Sequence, residues 1–509
     1  MADQKLVNLT IEGRQVSVPE GMTILEAAKT AGVLIPHYCY HPGLKIAGVC
    51  RMCLVEVEKM PKLAPSCATT VAEGQVVSVY SQKALDARKG VLELLLINHP
   101  LDCPICDQAG ECELQDYTFQ EGRADSRYRE PKRFNPAEDF GGDVLYVTNR
   151  CILCTRCVRF MGDVAGDRAL CVEERGDRAH IGIAPDHDLS HPWAANVIDL
   201  CPVGALISKD FANKARAWEL DRTASICPNC AQGCNITLET RDQALVRMKP
   251  RSNSDVNHFY LCDEGRLDYN WVNRDDRLET PVVAGQPASW EAALAQAGSA
   301  LKGGAASVVA SASLSNEALW LLKQAVGTGK FRVATGAEAP LPGVADLALR
   351  ADRAPNATGA ELLGFSRADQ PLAGAGAVVV IAGDDCEGLD TAALASAKTV
   401  IFLGTVAPKG LPASATLLPI ANFAEEEGTF TNLRGRVQRY LQARPAPGYA
   451  RASWMALAGL AAAAGKTGAY DSAEAVFAAM AKAEGAFSGM SYDSVGLKGQ
   501  VAPGARVNA

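Results

Sequence analysis

The chain has 509 residues, 48% of them hydrophobic, with 50 Lys and Arg against 58 Asp and Glu and a net charge of −8. That acidic balance argues against nucleic acid as a partner, and the length predicts about three to four domains. No run of about 18 apolar residues is present to cross a bilayer, and the opening MADQKLVNLT lacks an export pattern, so neither insertion nor export is expected.

In chain order, KLVNLTI and QVSVP read as strands around the turn residues EGR. Thr23 and Glu26 stand at capping-box spacing ahead of a short helix stopped by Gly32. CLVEVE and QVVSVY supply further strands, so residues 5–80 form a small β-rich module. Residues 82–98 carry their apolar residues on one helical face and end before Pro100, whereas 113–140 is polar and reads as irregular. After 285, the helical SWEAALAQAGSALKG and SNEALWLLKQAVG alternate with the apolar runs ASVVASA, AGAVVVIAGDD and AKTVIFLG. Such alternation predicts an α/β layered domain with a parallel sheet. ARPAPGYARA reads as a linker, AEEEG at 424–428 as solvated surface, and the last 35 residues as loosely ordered.

Of 17 cysteines, 16 precede residue 263. In a long chain without an export pattern, metal binding is the better expectation than a disulfide scaffold. The first set, Cys39, Cys50, Cys53 and Cys67, is spaced C-x10-C-x2-C-x13-C. Its place after the helix of a β-rich module is similar to that of a plant-type [2Fe–2S] site, with structural zinc as the rival; Gly43 and Gly48 would let the backbone wrap the sulfurs. The second, His99, Cys103, Cys106 and Cys112, is H-x3-C-x2-C-x5-C, and its residue types fit either [4Fe–4S] or a Cys3His zinc site.

The third set settles the metal. Cys151, Cys154 and Cys157 form the C-x2-C-x2-C run of a bacterial ferredoxin, and Cys201-Pro202 supplies the fourth ligand. Counting by the same rule, the ligands of a second cluster would fall at Met161, His191, Ala194 and Val197. This is a two-cluster ferredoxin pattern with one cluster erased, and zinc proteins have no reason to show it. The fourth set, Cys227, Cys230, Cys234 and Cys262, suits [4Fe–4S] as well. Cys171 and Cys386 stand outside the sets and read as small apolar residues.

Four one-electron carriers in one chain make a wire. His99 in place of a thiolate removes negative charge and should raise that cluster's potential. Neither a G-x-G-x-x-G after a strand nor a complete P-loop is present, GTGK at 327–330 being a fragment, so the chemistry at each end of the wire is expected in partner subunits.

The order of these sets resembles that of the G-type, large iron–sulfur subunits of respiratory complex I, NADH:quinone oxidoreductase. NFAEEEGTFTNLRGRVQR at 422–439 resembles a segment this family shares with molybdopterin oxidoreductases. The resemblance implies an α+β and α/β multidomain chain. A β-grasp [2Fe–2S] ferredoxin-like domain would occupy 1–80, a His/Cys3 [4Fe–4S] domain 81–140, and a ferredoxin-like domain with one retained [4Fe–4S] cluster 141–220. A molybdopterin-oxidoreductase-type [4Fe–4S] domain would follow at 221–278, a shortened α/β scaffold of the same kind at 279–475, and a loose tail at 476–509. It further implies one [2Fe–2S] cluster on the first set and [4Fe–4S] clusters on the other three, the fourth off the main electron path. Electrons would arrive from the NADH- and FMN-binding subunit and leave through other peripheral-arm subunits toward quinone, on the cytoplasmic side of the membrane. The chain would be a subunit of an oxidoreductase with no complete substrate-converting site of its own. Two departures stand out. Molybdopterin enzymes usually carry a lysine two residues after the last cluster cysteine, where CDEGR has Glu264, and no cysteine lies between 263 and 385, so no molybdopterin is expected. The rival functions are the electron-wire subunit of an NAD-linked formate dehydrogenase or hydrogenase, and a zinc scaffold.

Overall fold

A computed structural model of the chain describes residues 5–302, 305–383, 389, 391–466 and 469–505. Two compact units form, Met1–Glu219 with Leu341–Ala345, and Leu220–Pro340 with Asp346–Ala509. Cys386 lies outside the described residues.

The first unit begins with a mixed five-stranded sheet. β1 (Leu6–Ile11) alternates its faces, burying Val7, Leu9 and Ile11, and turns into β2 (Arg14–Pro19) through Glu12 and Gly13, both at positive φ. Two such residues are what a two-residue hairpin turn with the right twist requires. Helix α1 (Ile24–Thr30) starts in the expected capping box, with Thr23 and Glu26 exchanging hydrogen bonds. β3 (Leu54–Val57), β4 (Ala64–Pro65) and β5 (Gln75–Ser78) complete the sheet in the order β2-β1-β5-β3-β4, β1 and β5 parallel. Ile24, Ala27, Ala28, Val55 and Val77 close its core.

Helix α2 (Gln82–Leu96) is capped by Ser81, whose hydroxyl accepts from the Ala84 N–H at 3.3 Å. Within the stretch read as irregular, α3 (Glu113–Glu121) is helical and buries Leu114 and Tyr117. Fully buried Arg88 of α2 holds it by an ion pair with Glu121, a tertiary contact that outweighs the polar composition. Strands Glu138–Gly141, Val144–Tyr146 and Leu206–Ser208 then make a small antiparallel sheet.

The second unit opens with an antiparallel sheet, Asp221–Ile226, Asn235–Arg241 and Ala244–Pro250. A larger sheet follows. Its parallel strands lie in the order Thr416–Pro419, Thr399–Gly404, Val378–Ala382, Ser307–Ser311, Lys330–Arg332 and Ser366–Arg367. Chain order reverses between Ser307–Ser311 and Val378–Ala382, as in doubly wound α/β sheets. Helices Trp290–Lys302, Asn316–Val326 and Ser453–Ala463 pack on it through Leu319, Leu322, Leu457 and Leu460.

Two expectations fail in this unit. The tail read as loose at 476–509 is, through residue 505, folded: helix Ala473–Ala483 buries Val476, Phe477 and Met480, and Phe487, Tyr492 and Val495 extend the same core. Alanine-rich composition concealed an apolar helical face. The AEEEG run is not surface either. Glu425 and Glu426 are 2% and 5% exposed, because Arg277 and Arg444 meet the Glu425 carboxylate and Ser453 and Tyr440 bond Glu426.

Candidate iron–sulfur sites

The third set shows the geometry most directly. Cys151, Cys154, Cys157 and Cys201 line a single small cavity with Tyr146, Ile152, Arg156, Val203 and Leu206. Leu153 and Thr155 hold left-handed backbone at φ 53° and 59°, a conformation costly for side chains with a Cβ, so the loop curls around the cavity. The Leu153 N–H reaches Cys151 Sγ at 3.4 Å. Burial lifts Cys151 to about 11 and Cys154 to about 12, and raises Cys157 and Cys201 as well. Buried thiols of this kind become thiolates when metal charge compensates them. Three of the positions where a second cluster's ligands would fall are filled by fully buried apolar residues, Met161, Ala194 and Val197.

In the first set Cys39, Cys53 and Cys67 are buried and Cys50 half-buried. Their side chains are hydrogen-bonded in pairs, Cys39 with Cys50 and Cys67, and Cys53 with Cys67. Cys50 and then Cys67 hold Cys39 well below the usual thiol range, while contact with Cys39 and Cys53 pushes Cys67 well above it. The backbone N–H groups directed at the Cys39 sulfur belong to Cys50 and Val49. Of the two glycines expected to serve there, Gly48 supplies a left-handed turn, whereas the Gly43 N–H bonds His41 Nδ1 at 3.1 Å.

The second set follows the end of α2. Cys106 and Cys112 are buried and Cys103 exposed. Arg216 donates to the carbonyls of Pro104 and Cys106, holding the CPIC loop. Burial lowers His99 to about 4, so the imidazole is neutral at physiological pH. Its Nδ1 is buried without a hydrogen-bond partner among the described residues, which suits a ring nitrogen available for a metal. Gly204 is required beside this set, because a Cβ there would collide with Cys106 Sγ.

The fourth set lies in the second unit. Cys227 and Cys234 flank a hairpin loop closed by the Cys227 N–H on the Cys234 carbonyl at 2.8 Å. Cys262 caps helix Asp263–Leu267, its Sγ accepting from the Gly265 N–H at 3.3 Å. A Cβ on Gly265 would stand 3.2 Å from both Cys227 Sγ and Cys262 Sγ, close enough that the sulfurs would have to shift by a few tenths of an ångström. Burial raises all four thiols, Cys262 to about 12. Among the described residues, no three His, Cys, Asp or Glu side chains converge on one ion. Clusters distribute their protein ligands over separate irons, at most two on each.

Cys171 lies on strand Leu170–Glu173 with its Sγ 3.7 Å from the Gly182 carbonyl. Sequence reasoning passed over the arginines. Arg150 binds Asp102 at 3.0 Å and the Gly204 carbonyl at 3.5 Å, linking the loop of the second set to the Cys201 turn. Arg159 donates to the Cys39 and Cys154 carbonyls. Their signal was available: basic residues alternate with cysteines through R-C-I-L-C-T-R-C-V-R. Beside the fourth set, a cleft at the carboxyl ends of the parallel strands is lined by Ser313, Thr405, Lys409 and Trp271. There Glu264 is ion-paired with Arg353 at 3.1 Å.

Family models match along the chain. They are a 2Fe-2S iron-sulfur cluster binding domain at 4–82 and an NADH-ubiquinone oxidoreductase-G iron-sulfur binding region at 88–127. The ferredoxin-like domain of NADH-quinone oxidoreductase subunit 3 matches 141–207, the molybdopterin oxidoreductase Fe4S4 domain 220–274, and molybdopterin oxidoreductase 359–463. The G-type subunit of NADH-quinone oxidoreductase from Rickettsia felis is 41% identical over 338 residues, covering 64% of this chain and 50% of that protein. The mitochondrial NADH-ubiquinone oxidoreductase 78 kDa subunit of Neurospora crassa is 47% identical over 296 residues, covering 57% of this chain and 40% of its own. The chain thus spans about half the length of the curated relatives it matches. A chain of a solved NAD+-reducing [NiFe]-hydrogenase in the H2-reduced state is 30% identical, with 41% of this chain and 90% of that one covered, at a TM-score of 0.38.

Proposed function

Because the chain belongs, through its iron–sulfur portion, to the family of G-type large iron–sulfur subunits of NADH:quinone oxidoreductase, we propose that it relays single electrons from an NADH- and FMN-binding subunit toward quinone. Its partners are the peripheral-arm subunits of that complex, on the cytoplasmic side of the membrane. The observation that carries this reading is the cavity on which Cys151, Cys154, Cys157 and Cys201 converge.

Cys39, Cys50, Cys53 and Cys67 would hold a [2Fe–2S] cluster. His99 with Cys103, Cys106 and Cys112, the cavity set, and Cys227 with Cys230, Cys234 and Cys262 would each hold [4Fe–4S]. When bound, such clusters supply one-electron carriers whose potentials follow burial, charge and hydrogen bonding to sulfur. The protein sets those terms. Burial of Cys154, Cys157 and Cys201, and of the four thiols of the last set, excludes water there, Tyr146 directs its hydroxyl at Cys151, and neutral His99 leaves its site with one negative charge fewer. The division at residues 80, 140, 220 and 278 forms part of this proposal, with the folded tail joined to the last domain.

Low-temperature EPR of the dithionite-reduced, anaerobically purified protein tests it, with iron and zinc assayed on the same sample. One [2Fe–2S] signal, up to three [4Fe–4S] signals and about 14 irons per chain are expected. Colourless protein with stoichiometric zinc would leave only a scaffold.

A further inference from the structure

Arg156 stands between Cys154 and Cys157 and is 4% exposed. Its guanidinium donates to the Tyr40 carbonyl at 2.8 Å and the Leu200 carbonyl at 3.2 Å. It also meets both carboxylate oxygens of Glu113, at 3.3 and 3.4 Å. Tyr40 follows Cys39, Glu113 follows Cys112 and Leu200 precedes Cys201. One buried cation therefore touches the loops of three ligand sets. It also lines the cavity of the third set, and its Nε–H is buried with no hydrogen-bond partner among the described residues.

We propose that Arg156 is a positioning residue that sets the potentials of three clusters together, an inference resting on the ligand sets proposed above. Reduction adds an electron to each cluster, and a fixed positive charge in a poorly screened interior stabilises the reduced form more than the oxidised one. Arg156 thus holds all three potentials up. Glu113, whose side chain is 38% exposed, opposes it. The same hydrogen bonds lock the three loops in mutual register, since a planar guanidinium can serve two carbonyls and a carboxylate at once, whereas an ammonium cannot reproduce that fork.

EPR-monitored redox titration of the assembled complex tests the proposal, comparing Arg156→Gln, Arg156→Lys and Glu113→Gln with the unaltered protein. In iron-replete Arg156→Gln, the reduced-to-oxidised ratio at fixed potential should fall about tenfold for the clusters of the first three sets, about 59 mV. The fourth set, in the other compact unit, is the internal reference and should not move. Glu113→Gln should shift the same three signals upward, and Arg156→Lys should restore most of the Arg156→Gln loss. A purely structural role cannot produce shifts of opposite sign. Unmoved potentials in iron-replete Arg156→Gln, or Glu113→Gln shifting downward, would overturn the proposal while leaving the electron-relay reading intact. Should Arg156→Gln fail to assemble, the sign of the Glu113→Gln shift decides alone. Zinc in place of iron in the unaltered protein would instead defeat the relay reading itself.

Discussion

Gly204 and Gly265 are the residues at which backbone shape meets sulfur. Gly204 has an ordinary negative-φ backbone, so alanine there meets no conformational strain, only the sulfur of Cys106. Gly204→Ala should therefore cost the iron of the His99 set while sparing the first, an outcome read from iron content and the loss of one EPR signal. At His99 the effect is electrostatic. His99→Cys adds a thiolate, so that cluster's potential should fall and the other signals stay in place, as redox titration would show. A potential that rose would remove His99 from the ligand set.

At the scale of elements, the short runs that begin and end structure carry measurable weight. The Thr23–Glu26 capping box satisfies two orphan donors of α1, and Thr23→Ala should destabilise the first unit by about 1 kcal/mol in urea denaturation. The AEEEG segment matters more. Arg277 grips the Glu425 carboxylate with two bonds of 2.8 Å, and Arg444 approaches it at 3.2 Å. Glu425→Ala would leave both guanidinium groups without that carboxylate, the Arg277 side chain being only 3% exposed, at a cost of about 3–5 kcal/mol. A melt within about 1 °C of the unaltered protein would refute the clamp, since a loss of that size moves the midpoint by several degrees. These elements also show where sequence reading stops. Alternation in β1 and the capping box are written in neighbouring residues and were legible. The helix α3 depends on Arg88 and the buried Glu425 carboxylate on Arg277 and Arg444, and no local pattern announces those pairings.

Across the second unit, stability should depend on pH through a buried pair of carboxyl groups. Burial lifts Glu317 to about 7 and Glu426 to about 8, and the charge of Glu317 adds to the rise at Glu426. In the unfolded chain both titrate near about 4.3. Between those values the folded state keeps protons the unfolded state has released, so this contribution is full below about pH 4 and declines as pH rises to about 8. Denaturation midpoints at about pH 5.5 and about pH 8.5 should differ less in Glu426→Gln than in the unaltered protein. An equal or larger difference in the variant would contradict the assignment.

The sequence by itself determined the four candidate ligand sets, because ligand spacing is a covalent fact and the C-x2-C-x2-C…C-P pattern has few other uses. It also determined the alternation of apolar strands and helices in the second half, since periodicity is local. Only the tertiary structure decided what surrounds the ligands: the cavity shared by Cys151, Cys154, Cys157 and Cys201, the glycines that clear the sulfurs, and the arginines that join their loops. Those features come from residues up to 120 positions apart, as Arg159 and Cys39 are, brought together by burial of surfaces that no window of sequence contains.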